Sequence, residues 1–326
     1  MNKNASSDIT ALRTVLLDTT SFCNLQCVMC PHKDMTRTKG RMDWALIKKI
    51  LDEISCIDKT IRVWLVFFGE ALLLKNTTPS IFDIITYAKS IGLKDVVLNT
   101  NANLLDKKTS ERLIQCGLDS IYIGIDAFSK EIYSQIRVGG DYQRVLQNVL
   151  DLIEVNKTFK NPISIQVQFV EMEINKHELV KFIDFWTKKG ADVKIRKKLS
   201  WSGLMPSGKK ENKKNRHPCY WIMNSISITD TGDVATCAAD PEARFIAGNV
   251  RTQSIKEIWE GKMKELRDIH IKKNWDRLPF PCNECNDWKI SYKDKIIHTK
   301  KNSVIKKLAE KLFKISHSFN KNLTLI

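Results

Sequence analysis

The stretch Arg13 to His32, RTVLLDTTSFCNLQCVMCPH, decides how the chain is read. Its opening run, Arg13 to Thr19, is short and rich in aliphatic and β-branched side chains, which predicts a buried strand. Immediately beyond it, Cys23, Cys27 and Cys30 stand at CxxxCxxC spacing on a loop. Five further runs of the same kind follow: Arg62 to Phe67, Val96 to Asn99, Ser120 to Ile125, Ser164 to Val170 and Val193 to Lys197. Helix-period segments separate them, among them Trp44 to Ile54, Pro79 to Ile91 and His177 to Lys188. Repeated βα units predict a parallel sheet. Right-handed crossovers and burial on both faces leave two architectures, an open doubly wound sheet or a full or partial barrel.

After Ser200 the texture changes. Trp201 to Pro218 is rich in Gly, Pro, Ser and Lys and reads as a connector. A second unit follows, with a hairpin predicted from Ser225 to Thr229 and Asp233 to Thr236 around Asp230-Thr231-Gly232, then a helix from Ser254 to Ile269. The expected division is a core at 1–199, a linker at 200–217, a cysteine-rich unit at 218–290 and a basic helical tail at 291–326. In the tail, Val304, Ile305, Leu308, Leu312 and Ile315 mark one helical face opposite Lys306, Lys307 and Lys314. Two fates are open to that helix: packing on the core, or laying its apolar face on an anionic membrane surface.

The chain has 326 residues, nine of them cysteine, and no long apolar run at its start. A signal peptide and a membrane span are therefore not expected, and the chain reads as cytoplasmic. In a reducing compartment clustered cysteines bind metal rather than form disulfides. The net charge of +16 lies largely in runs such as Lys209-Lys210, Lys213-Lys214 and Lys300-Lys301. Runs outside the periodic segments read as solvated loops and tail, so nucleic acid is not an expected partner. Cys56 and Cys116, each in an apolar helical context, read as buried core thiols.

Three thiolates on a short loop can hold three irons of a cubane cluster and leave the fourth iron free to bind a ligand. A zinc knuckle completed by His32 and three plain buried thiols are the alternatives. The loop lies at the C-terminal end of a strand, where α/β architectures place their chemistry.

With its CxxxCxxC loop after the first strand, the chain resembles the radical S-adenosylmethionine superfamily. The resemblance implies a partial (β/α)6 barrel in which a 4Fe-4S cluster on Cys23, Cys27 and Cys30 cleaves S-adenosylmethionine to a 5'-deoxyadenosyl radical. Met29 stands where the family often places an aromatic residue beside the adenine. Phe68-Gly69-Glu70-Ala71 resembles the family's Gly-Gly-Glu-Pro element, which implies that Gly69 and Glu70 bind the cofactor amino group. Asn99-Thr100-Asn101 looks like the Thr-Asn-Gly stretch of the family, which puts Asn99 and Asn101 at the cofactor. Ile123-Gly124-Ile125-Asp126 resembles a Ser-x-Asp element and brings in Asp126, although Gly124 lacks the hydroxyl. Arg137 resembles an arginine directed at the cofactor carboxylate.

Cys219, Cys237, Cys282 and Cys285 form a second set whose chemistry fits a cubane cluster or zinc equally. Here too a resemblance is present. His217-Pro218-Cys219, Gly232 to Cys237, Ile258-Trp259 and Cys282-Asn283-Glu284-Cys285 are similar to the SPASM extension in its shortened form, twitch. It implies one auxiliary 4Fe-4S cluster held by the four cysteines. A fully ligated cluster suits electron relay. Together the resemblances imply a radical oxidoreductase, dehydrogenase-like or dehydratase-like, acting on a sugar, cyclitol or nucleotide-sugar and served by a flavodoxin- or ferredoxin-type reductant. Arg196, at the end of the sixth strand beside Trp201, is the candidate for polarising a substrate oxygen; its plain reading is one more cation in Arg196-Lys197-Lys198. The alternatives are a peptide or protein maturase, against which the short lead before Cys23 counts, and a non-catalytic iron-sulfur or zinc binding protein.

Overall fold

The computed structural model describes residues 12–206, 215–290 and 295–298. Six parallel strands form where the apolar runs lie: β1 (Thr14–Leu17), β2 (Arg62–Trp64), β3 (Val96–Thr100), β4 (Ser120–Gly124), β5 (Ser164–Glu171) and β6 (Asp192–Lys197). They are neighbours in chain order, β1 beside β2 through to β6, with no reversal of direction along the sheet. A doubly wound sheet needs such a reversal. The unreversed order is the winding of a barrel, and the sheet closes far enough that residues after β1 and on β6 line one cleft.

Between these strands run α1 (Trp44–Ile57), α2 (Ile81–Ser90), α3 (Lys107–Gln115), α4 (Lys130–Ile136), α5 (Tyr142–Thr158) and α6 (Leu179–Lys189). Their starts are fixed by side-chain caps: Asp43 accepts from the Leu46 amide, Asp106 from Thr109, and Ser80 and Asp83 make a reciprocal capping box. Gly190 ends α6 at φ 101°. Each strand sends alternate residues to opposite faces. Val15, Val63, Leu98, Ile121, Val167 and Val193 join the helices in one fully buried core. The other face carries Asn99, Tyr122, Gly124, Gln168 and Arg196, held side by side by the register Asn99–Tyr122 and Gly124–Gln168. Polar side chains are thus concentrated inside the barrel.

The sheet continues past the expected linker. Beyond α7 (Tyr220–Asn224), β7 (Ser225–Ile228) pairs in parallel with β1. The hairpin partner β8 (Asp233–Ala235) and then β9 (Ile246–Asn249) add antiparallel strands outside it. The helix expected over Ser254 to Ile269 is two helices, α8 (Ile255–Glu260) and α9 (Lys262–Ile271). Gly261 breaks it at ψ −111°, outside the helical region.

In the expected helical tail, Lys295–Ile297 is instead a strand, β10, antiparallel to β6. An open edge of unpaired peptide groups explains the difference, since β6 is the last barrel strand and a short apolar segment satisfies it. The lysine runs at 209–214 and 300–307 and the helical face from Val304 to Ile315 lie outside the described residues. Cys56 is exposed and Cys116 half-buried, which corrects the expectation of two core thiols. The apolar face of α1 consists of Leu46, Ile47, Ile50, Leu51 and Ile54, and Cys56 falls off that stripe; Cys116 is the C-terminal cap of α3. Among the described residues no helix is long and apolar enough to cross a membrane.

Candidate functional site

A cleft open to solvent lies at the C-terminal ends of the barrel strands. Cys23, Cys27, Cys30, Met29, Gly69, Glu70, Asn99, Asn101, Arg137 and Arg196 all line it. Every candidate for cofactor or substrate contact except Asp126 is therefore in one place.

The cysteine loop is held down from several sides. Gly69 sits at φ 112°, and a Cβ there would lie 2.3 Å from the Thr20 carbonyl oxygen and 2.7 Å from that of Phe22. Only glycine lets the backbone after β2 run this close to the residues leading into Cys23. The Asn101 side chain donates to Asn24 Oδ1 at 2.8 Å, and the Trp201 indole donates to the Met29 carbonyl at 2.7 Å. Glu70 is buried; it accepts from Thr100 Oγ1 at 2.8 Å, the Asn101 amide at 2.7 Å and the Leu72 amide at 3.1 Å. Burial raises its pKa, and those donors oppose the rise. A carboxylate has about four acceptor positions, so three partners leave room for one ligand donor.

Arg137 reaches the same wall from the end of α4. Its Nη1 lies 3.5 Å from Cys27 Sγ, and its Nε donates to Asp126 at 2.8 Å. Burial works against its charge, but Asp126 and Cys27 outweigh that and raise its pKa. Asp126 is fully buried behind it and also accepts from the Val170 amide at 2.6 Å. It positions Arg137 rather than facing the cleft. Gly124 makes this possible, because a Cβ there would fall 2.1 Å from Arg137 Nη2.

His32 lines the cleft, but its Nε2 donates to the Ser21 carbonyl at 2.7 Å. That bond uses the nitrogen a zinc knuckle would most simply take. Two residues that sequence reasoning passed over also belong here. Gln168 is 5% exposed, with its Nε2 unpartnered and its Oε1 3.5 Å from Arg196 Nη1. Trp201 packs on Phe68 with ring centroids 5.1 Å apart. Polarity on an inward strand position was the available signal for Gln168.

A second, tightly packed site is lined by Cys219, Cys237, Cys282 and Cys285, which come from the N-cap of α7, the loop just beyond β8 and a later loop. Burial raises all four thiols, Cys285 to about 12 and Cys237 well above its ordinary value. Cys23 is pushed up to about 11 and Cys30 to about 12, again chiefly by burial. Thiols this hard to ionise become thiolates when a metal centre supplies the compensating charge. Ser202 lines this second cavity while its neighbour Trp201 lines the first, so the expected linker spans both sites. Asp287 fixes that segment by accepting from the amides of Ser200 at 2.7 Å and Ser202 at 3.0 Å.

The two units are also clamped through the loop after the first cysteines. Arg37 binds Asp18 under β1 and Asp230 of the hairpin, and Glu242 accepts from the Thr36 and Arg37 amides at 2.7 and 2.9 Å. Burial lifts the Asp18 carboxyl to about 7 against the pull of Arg37.

Residues 17–167 match the model of the radical SAM superfamily, and residues 219–286 match that of an iron-sulfur cluster-binding domain, SPASM. The chain belongs to the radical SAM superfamily. The two matches together give a radical SAM domain followed by a SPASM-type domain, and membership implies S-adenosylmethionine and iron-sulfur clusters as cofactors. A probable GTP 3',8-cyclase of Methanococcus maripaludis is 30% identical over 185 residues, covering 56% of this chain and 58% of that protein. The match thus spans little more than half of the cyclase. An AdoMet-dependent heme synthase of Methanosarcina barkeri is 24% identical over 330 residues, covering 86% of this chain and 90% of the synthase. Among solved structures, BtrN in complex with AdoMet and 2-DOIA superposes with a TM-score of 0.58 at 19% identity, over 84% of this chain and 93% of BtrN. SuiB of Streptococcus suis gives 0.66 at 13% identity, over 86% of this chain and 77% of SuiB. These two establish the likeness of fold.

Proposed function

We propose that Cys23, Cys27 and Cys30 hold a 4Fe-4S cluster with one open iron, that Cys219, Cys237, Cys282 and Cys285 hold a closed auxiliary one, and that the enzyme oxidises a small hydroxylated substrate of the sugar, cyclitol or nucleotide-sugar class. The observation that carries the reading is the cleft itself: three thiols, a buried carboxylate with one free acceptor position, and a guanidinium anchored by Asp126 share one wall. Held by Cys23, Cys27 and Cys30, the first cluster with S-adenosylmethionine would supply the radical chemistry for abstracting a hydrogen atom from a C–H bond.

In this reading Glu70 accepts from the cofactor amino group and Arg137 pairs with its carboxylate. Met29 packs on the adenine, while Gly69, Asn99 and Asn101 shape the floor. Four thiols lining one site supply the four ligands that a closed cubane cluster takes.

For the substrate, the unpartnered polar atoms of Asn99 and Gln168 beside Arg196 support a ligand rich in hydroxyl and carbonyl oxygens. A hydroxylated carbon that has lost a hydrogen atom and a proton becomes a carbonyl once one electron leaves. Trp201 and Ser202, which touch the two sites in turn, support the second cavity as the destination of that electron. The test is deuterium transfer into 5'-deoxyadenosine from C-deuterated sugars, cyclitols and nucleotide-sugars, run beside C-deuterated peptides. Transfer from a carbohydrate supports the proposal, and transfer from peptide alone overturns it.

A further inference from the structure

We propose that Arg216 and His270 set the reduction potential of the auxiliary centre, raising it so that the centre receives electrons. The inference rests on the reading that four thiolates hold an iron-sulfur cluster, and it begins from an asymmetry among them. Cys237 and Cys285 are met by backbone amides, Ala239 at 3.4 Å and Asp287 at 3.3 Å. The amides of Trp221 and Ile222 meet Cys219. Cys285 also receives the Ser202 hydroxyl, but Cys282 is the thiol met by a guanidinium and an imidazole, Arg216 Nη2 at 3.6 Å and His270 Nε2 at 3.5 Å. Peptide donors come with the shape of the loops, whereas these two groups are chosen by the sequence.

The direction of the histidine contact follows from its other nitrogen. The Cys219 amide donates to His270 Nδ1 at 3.4 Å, which leaves the ring proton on Nε2, facing Cys282. His270 is fully buried. Arg216 is 6% exposed, donates to the Cys282 carbonyl at 2.8 Å and lies over the Trp275 ring at 5.3 Å. No carboxylate pairs with it among the described residues, and its Nε, in the wall of the same cavity, has no partner. A buried guanidinium with a spare donor calls for an anion, and a thiolate-bound cluster is one.

Reduction adds one electron and one negative charge to the cluster, with no bond to the protein made or broken. A fixed positive charge and hydrogen bonds to a ligand sulfur stabilise the reduced form more than the oxidised form, so the potential rises. The centre is thereby biased to accept the electron left on an oxidised substrate.

The test uses the full chain with Cys23→Ala, Cys27→Ala and Cys30→Ala, so that only the second centre is reconstituted. Iron is counted, and the centre is titrated with dithionite and mediators under electron paramagnetic resonance. Against that parent, Arg216→Gln is expected to cut the reduced-to-oxidised ratio at fixed poise at least tenfold, which is 59 mV for a one-electron couple. Arg216→Lys, which keeps the charge, falls less than Arg216→Gln, and His270→Phe falls in the same direction. An Arg216→Gln protein with full iron and a ratio within twofold of the parent overturns the proposal. Should Arg216→Gln fail to hold iron, His270→Phe decides: a lowered ratio supports the proposal and an unchanged one overturns it. A parent that binds zinc and no iron refutes the cluster reading itself, so the two failures are distinguishable.

Discussion

Gly124→Ala displaces Arg137 by a methyl in the cleft wall while leaving the chemistry of every ligand-facing side chain unchanged. The added methyl would stand 2.1 Å from Arg137 Nη2 and 2.9 Å from its Cζ, against an ordinary contact of at least 3.4 Å. Position 124 is a strand residue without positive φ, so its backbone accepts alanine, and the obstructing atoms are the mobile end of a side chain. The guanidinium therefore has to move by roughly 1.3 Å, the shortfall from that ordinary contact. Such a move breaks at least one of its bonds to Asp126, the Nε bond being 2.8 Å long at the start. One charge-assisted hydrogen bond is worth about 1.5 to 3 kcal/mol. If Arg137 pairs with the cofactor carboxylate, S-adenosylmethionine binding weakens by roughly 10- to 150-fold, taking 1.4 kcal/mol per tenfold. Anaerobic equilibrium dialysis of the iron-reconstituted protein reads this directly, with circular dichroism checking that the fold survives. Binding within twofold of wild type in a folded variant would refute the role given to Arg137.

Other consequences are equally open to measurement. Gly69→Ala forces a side chain onto a backbone at φ 112° against two carbonyls that cannot move aside. Strain of about 1 to 3 kcal/mol from the dihedral alone should disorder the cysteine loop, and iron content after reconstitution should fall from about eight to about four per chain. Asp18, with its carboxyl lifted by burial to about 7, binds its proton more tightly folded than unfolded. The stability it contributes is complete below its ordinary value of 3.8 and is lost as pH rises through about 7. The melting temperature should therefore decline from pH 5 to pH 8, and Asp18→Asn should flatten that decline; an equal slope in the variant would assign it to other groups. Glu242→Ala removes the acceptor for two backbone amides and the Thr36 hydroxyl. A loss of about 1 to 2 kcal/mol in urea unfolding is expected, with an unchanged midpoint as the contrary result.

What could be read from the sequence was whatever is encoded locally. All six barrel strands lie within the apolar runs or a residue of them, because burial on both faces forces near-continuous hydrophobic segments. The three cysteines after β1 were legible as a group through their spacing alone. Long-range pairing was not. Nothing near Ser225 announces that β7 will join β1 some two hundred residues earlier, so a linker and separate unit were expected where the sheet continues. Trp201 was placed in a connector because its neighbours are Gly, Pro and Lys, yet a hydrogen bond to Met29 puts it in the cleft wall. Asp126 was grouped with the cofactor residues by motif, and only the fold shows Arg137 standing in front of it. Gly261 carried a signal that went unused: glycine within a helical pattern marked the break between α8 and α9.

The most direct test of the whole account is anaerobic reconstitution of the purified chain, followed by iron counting and incubation with dithionite and S-adenosylmethionine. Two cubane sites predict about eight irons per chain and release of 5'-deoxyadenosine, abolished by Cys27→Ala. A chain that takes up one tetrahedral metal, or that holds eight irons and leaves S-adenosylmethionine intact under reduction, would contradict it.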